Sequence, residues 1–313
     1  MNMNNTISLL KSDKLFITDG GLETTLIFKE GFDLPYFAAF DLLKHRAGRE
    51  ALKKYYEAYV AMAVHSRTGF ILESPTWRAS IDWGEKLDYS RLQLAEANRV
   101  SINLLKEIRA EYTTPDSPMI ISGCVGPRGD GYKIKDTMTA DQAMSYHSEQ
   151  VSVLSQSGVD MISALTMTYP SEAIGIVLAA KAENLPVVIS FTTETDGRLP
   201  NGMTVKEAIE LVDLTTNKGP VYYMINCAHP DHFHQALAEN ADWVKRIQGV
   251  RANASRKSHT ELDESTELDS GDPVELGQIY KQLRLQFPQF KVLGGCCGTD
   301  HRHVEHICRE CIN

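Results

Sequence analysis

The chain has 313 residues, 42% of them hydrophobic, with a formal net charge of −9 and no run of basic residues. That composition allows a large core and excludes the electrostatic footprint of a nucleic-acid binder, while no apolar stretch approaches the ~18 residues that span a bilayer. Residues 1–12 are polar and lack the apolar centre and cleavage site of a secretory signal. A cytoplasmic protein with no membrane or nucleic-acid partner is therefore expected, and its six cysteines (124, 227, 296, 297, 308 and 311) point to metal binding or catalysis rather than a disulfide framework.

Short β-rich runs alternate with longer helical ones. Residues 15–20 read as a first strand ending in Asp19-Gly20-Gly21, and Leu52, Tyr56, Tyr59, Val60 and Ala63 mark a helix over about 49–65 by their spacing. A second strand is expected at 70–74 and its helix at 91–112. The third, 119–125, runs into the loop Gly126-Pro127-Arg128-Gly129, with a helix over about 139–157. Strand four (161–165) precedes a helix at 171–185, and strand five (187–193) precedes a Gly- and Pro-containing loop. Thr204-Val205-Lys206-Glu207 is a capping box that opens the next helix. Strand six is expected at 222–227 with a helix over 230–247, and strand seven at 248–254. Residues 255–271 are polar and acidic and read as a mobile loop. Asp272-Pro273-Val274-Glu275 combines an N-cap, proline at the first helical position and an acid in the first turn. Strand eight is expected at 291–295, and the last helix starts near Asp300.

Eight strands, each followed by a helix, match a (β/α)8 TIM barrel occupying residues 1–313 as one domain, with a short flexible N-terminus over about 1–12. A doubly wound sheet is the runner-up, and no G-x-G-x-x-G follows the first strand to support its dinucleotide-binding version.

In such a barrel the chemistry gathers at the C-terminal ends of the strands. The polar groups expected there are Asp19, Glu73, Thr76, Cys227, Asn253, Cys296 and Cys297. Cys296 and Cys297 are adjacent between glycines, so a disulfide between them would be strained, whereas both can face one soft metal. Cys227 on strand six supplies a third thiolate from the same rim. Three protein ligands with one open position is the catalytic zinc pattern. Zn²⁺ with three thiolates carries a net charge of about −1, a poor Lewis acid but able to deprotonate an incoming thiol.

These residues resemble the homocysteine S-methyltransferase family of zinc barrels. The likeness runs over about 14–307 and is carried by Asp19-Gly20-Gly21, Gly126-Pro127, Gly158-Val159-Asp160, Ile225-Asn226-Cys227 and Gly294-Gly295-Cys296-Cys297-Gly298. The resemblance implies that Cys227, Cys296 and Cys297 bind Zn²⁺ and that homocysteine takes the fourth position. It implies that Asp19 and Gly20 help hold the amino-acid end of homocysteine, that Thr76 contacts that substrate, and that Asn253 stands in the family's strand-seven segment. The substrates would be homocysteine and a methyl donor; S-methylmethionine, S-adenosylmethionine, betaine and methylfolate are all used with this motif, and the compact single barrel favours S-methylmethionine or a related sulfonium. One departure matters: the family commonly has a glutamate at the end of strand four, and Ser163-Ala164-Leu165-Thr166-Met167-Thr168 has no acid. Glu73 is the compensating acid expected first, and Glu194 second. The alternatives are another small thiol or selenol acceptor, or a non-catalytic zinc-stabilised barrel.

Three further features stand apart. His229, His232 and His234 cluster where a loop enters a helix, which explains them better than a second metal. Cys308 and Cys311 form a lone C-x-x-C on the last helix, better read as a helix end than as half of a zinc ribbon. Trp77 and Trp83 offer faces for a cationic methyl donor, against ordinary loop packing.

Overall fold

The structure is a computed structural model that describes residues 3–237 and 241–312. Eight parallel strands close into a barrel in sequence order: β1 (Phe16–Ile17), β2 (Gly69–Glu73), β3 (Met119–Val125), β4 (Met161–Met167), β5 (Val187–Phe191), β6 (Tyr223–Asn226), β7 (Ile247–Ala252) and β8 (Val292–Gly295). β1 pairs with both β2 and β8, which completes the ring. The (β/α)8 expectation holds, with several strands shorter at their ends than the sequence suggested.

Alternation along each strand sorts the side chains into two cores. Outward residues such as Phe70, Leu72, Ile121, Ile189 and Leu293 pack beneath the surrounding helices. Inward residues, among them Phe16, Ile71, Ile120, Met161, Val188 and Met224, fill the barrel itself. Towards the C-terminal end the inward positions turn polar: Glu73 follows Ile71, Ser122 follows Ile120, Ser163 follows Met161, and Asn226 follows Met224. Ser122 and Ser163 are hydrogen-bonded at 2.7 Å. The interior thus changes from a hydrophobic plug to a polar floor where the site begins.

The long outer helices include Arg46–His65, Arg91–Tyr112, Ala140–Gln156, Pro170–Ala182, Val205–Thr216, Pro273–Gln286 and His301–Cys311. The predicted capping box at Thr204 and Glu207 and the N-cap at Asp272 are both formed. Two regions correct the sequence reading. Residues Met3–Lys11, expected as part of a flexible terminus, form a helix that buries Thr6 and Leu10, with Leu10 packed into the interior core. The barrel leaves apolar side chains open at its N-terminal end, and Leu10 covers them. In place of the single helix expected over 230–247, the described residues form three short pieces, the α-helical turn Pro230–Phe233 and the 3-10 helices Gln235–Leu237 and Asp242–Arg246, while residues 238–240 lie outside the described residues. Phe233, Leu237, Trp243 and Val244 are still buried, so the apolar spacing reported burial rather than helix continuity. Among the described residues no helix is long and apolar enough to cross a membrane.

Candidate active site

Cys227 follows β6 directly, and Cys296 and Cys297 follow β8. One sulfur from each lies within 4.8 Å of the other two, the only His, Cys, Asp or Glu cluster of this kind among the described residues. Cys227 and Cys296 are in disulfide contact with Cα atoms 5.4 Å apart, and Cys297 is free. Three thiolates around one Zn²⁺, each at ~2.3 Å, stand roughly 4 Å from one another, so the donor set fits zinc. A disulfide and a metal exclude each other here, because the bond consumes two of three donors.

Local backbone explains why the sulfurs converge. Cys227 has φ +55°, a left-handed conformation that a non-glycine residue holds only when its surroundings impose it. A side chain on Gly294 would collide with Thr18, so β8 passes the end of β1 there only as glycine, and one on Gly295 would collide with Thr299 in the turn that carries the two cysteines.

Each sulfur also has one side-chain hydroxyl or amide beside it. The Thr166 hydroxyl donates to Cys227 Sγ at 3.8 Å, Asn226 Nδ2 donates to Cys296 Sγ at 3.8 Å, and the Tyr132 hydroxyl lies 3.5 Å from Cys297 Sγ. Asn226 is itself locked: its Oδ1 accepts from the Thr166 amide and from Ser190 Oγ, and its Nδ2 donates to Thr166 Oγ1. Such outer partners orient ligands and tune a metal. Burial pushes the Cys297 thiol up to about 11, so ionising this thiol at neutral pH calls for a cation.

Around the sulfurs lies a cavity of about 290 Å³ lined by Asp19, Glu23, Glu73, Arg78, Leu165 and Arg251, among others. The acidic segment 255–271, expected as a loop, contains the helix His259–Asp263 and contributes Ser255, Leu262 and Leu268 to the cavity wall. Its fastening is specific: His259 stacks on Tyr132 at 4.0 Å between ring centroids, and its Nε2 lies 2.8 Å from the Cys227 carbonyl oxygen. Lys133 pairs with Asp263 at 2.7 Å.

The sequence profile described as Homocysteine S-methyltransferase matches residues 16–311. The chain belongs to the homocysteine S-methyltransferase family. Homocysteine S-methyltransferase 1 of Arabidopsis thaliana is 21% identical over 317 residues, covering 94% of this chain and 92% of that one. Selenocysteine Se-methyltransferase of Brassica oleracea var. italica is 23% identical over 267 residues, 78% of this chain and 75% of the other. Among solved structures, the oxidized form of the homocysteine methyltransferase MmuM from Escherichia coli aligns with a TM-score of 0.75 at 17% identity over 96% of both chains. Its metallated form aligns with a TM-score of 0.71 at 18% identity, over 96% of this chain and 98% of the other. At those identities the structural likeness establishes the fold. As a member of this family the chain is a thiol methyltransferase acting on homocysteine.

Within that homocysteine S-methyltransferase frame, the remaining candidates fall into distinct places. Asp19 lines the cavity but is already bound: Arg251 Nη2 donates to its Oδ1 at 2.6 Å and the Tyr55 hydroxyl to its Oδ2 at 3.1 Å. Gly20 lies at the cavity wall, where any side chain would meet the Tyr59 hydroxyl. Glu73 is buried, with Oε1 4.0 Å from Arg251 Nη1 and Oε2 without a well-formed hydrogen bond, the Ser122 and Ser163 hydroxyls lying near the carboxyl. Burial holds its carboxyl above the ordinary range, opposed by the Arg251 charge.

Thr76 and Asn253 are fully enclosed and face protein backbone. The Thr76 hydroxyl donates to the Cys124 carbonyl at 2.7 Å, and Asn253 Nδ2 donates to the Cys227 carbonyl at 3.0 Å; neither residue lines the cavity. Glu194 also stays outside, with Oε1 3.3 Å from His259 Nδ1. The faces of Trp77 and Trp83, considered for a cationic donor, are covered by the Arg78 guanidinium at 3.9 and 3.8 Å from the ring centroids. His229, His232 and His234 engage three separate partners, the Asp231 amide, the Arg256 carbonyl and the Gln286 side chain. Cys308 is buried and Cys311 partly buried on the last helix.

Sequence reasoning missed Arg251, Arg78, Glu23 and Tyr132, and gave Asn226 no role. Arg251 did leave a signal, a lone charge inside the apolar run Gly249-Val250-Arg251-Ala252. Glu23 follows the Asp19-Gly20-Gly21 motif by two residues, and burial together with the negative charge of Asp19 pushes its carboxyl up to about 7.

Proposed function

We propose that the chain moves a methyl group from a sulfonium donor to the thiol of homocysteine, with Zn²⁺ held by Cys227, Cys296 and Cys297. The observation that carries this reading is three sulfurs within 4.8 Å of one another, each with its own neighbouring side-chain donor. Bound there, zinc would lower the pKa of the incoming thiol enough to make a thiolate at neutral pH.

The chain's own residues do the rest. Asn226, Thr166 and Tyr132 hold the cysteine sulfurs in place and offset part of their negative charge. Glu73, whose Oε2 makes no well-formed hydrogen bond, is the acid we assign to the acceptor's ammonium, replacing the glutamate that strand four lacks. Asp19 works through Arg251, and Gly20 lets substrate approach the backbone. Thr76 and Asn253 act by holding the chain at Cys124 and Cys227 rather than by touching substrate. The segment 255–271 covers the cavity and keeps water from the reacting sulfur.

In the transfer, the acceptor sulfur attacks the methyl carbon in line. A new S–CH₃ bond forms as the donor's S⁺–CH₃ bond breaks, and the bonding pair leaves with the donor as a neutral thioether. The thiol proton is lost to solvent beforehand, so no strong general base is required, and alignment supplies most of the acceleration. One test combines metal analysis of the reduced protein with zinc X-ray absorption. Three sulfurs are expected alone and four with homocysteine, and an unchanged shell at saturating homocysteine would reject the reading. A donor panel scored for methionine formation should favour S-methylmethionine over S-adenosylmethionine, betaine and methylfolate.

A further inference from the structure

Arg78 is a buried charge that the site described above does not use. It is 5% exposed, lines the cavity, and forms no ion pair among the described residues. Its two faces are covered by Trp77 and Trp83, so only its edges are available. Nη1 donates to the Gly129 carbonyl at 2.8 Å, while Nε is buried without a partner. An arginine taken out of water with no carboxylate in ion-pair contact is costly, and the charges of Asp130 and Glu23, on the same cavity wall, offset its burial only from beyond that distance. The indole faces repay part of that cost through cation–π attraction, but they cannot accept an N–H bond.

We infer that Arg78 is an anchor for the carboxylate of an amino-acid substrate, a role that rests on the reading that this cavity takes homocysteine and a sulfonium donor. A planar guanidinium reachable only along its edge matches a planar carboxylate, which can accept two parallel N–H bonds. The sandwich also fixes the orientation before binding, so little side-chain freedom is lost when the ligand arrives. Burial lowers the Arg78 pKa to about 10, so it stays a cation at neutral pH. The same cavity exposes Glu23, which likewise has no ion pair among the described residues. A zwitterion carries the complement of both charges. The other cavity arginine does not compete for this role, since Arg251 is held by Asp19.

Calorimetric binding to the reduced protein, with its metal, decides the matter. The ligands are homocysteine, methionine and S-methylmethionine, each as the free acid and as the carboxyl methyl ester. For at least one ligand the wild type should prefer the acid by about 10- to 100-fold, the range expected for a charged hydrogen-bonded pair. Arg78→Met, which keeps an unbranched side chain between the indoles, should bring that ratio close to one and leave ester affinity unchanged. Arg78→Lys should retain part of the preference. Collapse of the ratio for homocysteine places the anchor on the acceptor, and collapse for S-methylmethionine places it on the donor. The inference is overturned if Arg78→Met keeps the acid preference, if the wild type binds acids and esters alike, or if it binds none of the three. Should Arg78→Met fail to fold by circular dichroism, Arg78→Lys and Arg78→Gln carry the same comparison. Failure of the zinc reading shows separately, as protein without bound zinc that still distinguishes acid from ester.

Discussion

Arg251 and Arg78 are each 5% exposed and both line the same cavity, yet the fold treats them in opposite ways. Arg251 is closed. It donates to Asp19 at 2.6 Å, to the Gly295 carbonyl at 3.1 Å, and lies 4.0 Å from Glu73. Arg78 is open, with aromatic rings instead of an ion-paired carboxylate against it; each arginine keeps one buried nitrogen without a hydrogen bond, so the difference lies in the counter-charge alone. A buried charge whose counter-charge is built in serves the architecture, here tying β7 to the turn after β1. A buried charge without one keeps its capacity for a ligand.

The sharpest way to break this contrast is to unpair the closed arginine. Asp19→Asn should cost up to about 3–5 kcal/mol, because Arg251 would stay buried with only Glu73, 4.0 Å away, as a counter-charge, and thermal or urea unfolding would report it. Arg78→Met should shift stability by no more than about 2 kcal/mol, the upper scale of a desolvated cation–π contact. If the two variants lose equal stability, the distinction between closed and open arginines fails.

Next in size is the support around the sulfurs. Tyr132→Phe removes the hydroxyl beside Cys297 and should weaken zinc affinity by about 10- to 100-fold, as loss of an outer partner does elsewhere; competition with a chromophoric chelator measures it. The thiol oxidant diamide should release zinc and abolish methyl transfer together, and dithiothreitol with added zinc should restore both. Metal retained after oxidation would count against a shared site, because Cys227 and Cys296 cannot be disulfide and ligands at once.

The smallest effect concerns a buried histidine whose Nδ1 lies 3.1 Å from the Asp300 carboxylate. His303 is buried, its Nε2 lies 2.8 Å from the Ser270 carbonyl oxygen, and its Nδ1 accepts from the Asp300 amide. Burial depresses its pKa to about 4, below the unfolded value near 6.5. The unfolded chain therefore binds the proton more readily between those values, and stability is lost as pH falls through them. A melting series from pH 7 to pH 5 should show a drop of a few degrees that His303→Asn reduces.

Much of the barrel was legible because its signals are local. Apolar runs, the capping residues at Thr204 and Asp272, and the paired cysteines between glycines all act within a few neighbouring residues. The helix over 230–247 failed for the same reason, since buried Phe233, Leu237, Trp243 and Val244 have helical spacing whether or not the backbone continues between them. The N-terminal helix was missed because its cause is distant: the open end of the barrel receives Leu10.

Residue order alone carries the alternation of eight strands with helices and the three cysteines with the soft metal they suit. Only the tertiary structure decided which charges are spent. Asp19 and Arg251 are 232 residues apart, and nothing in either segment announces that they meet. Trp77 and Trp83 offered two aromatic faces on paper, and packing filled both with Arg78. Residue type sets what a side chain can bond to, but a buried group's partner depends on which strands the closed ring brings side by side, and that is a property of the whole chain.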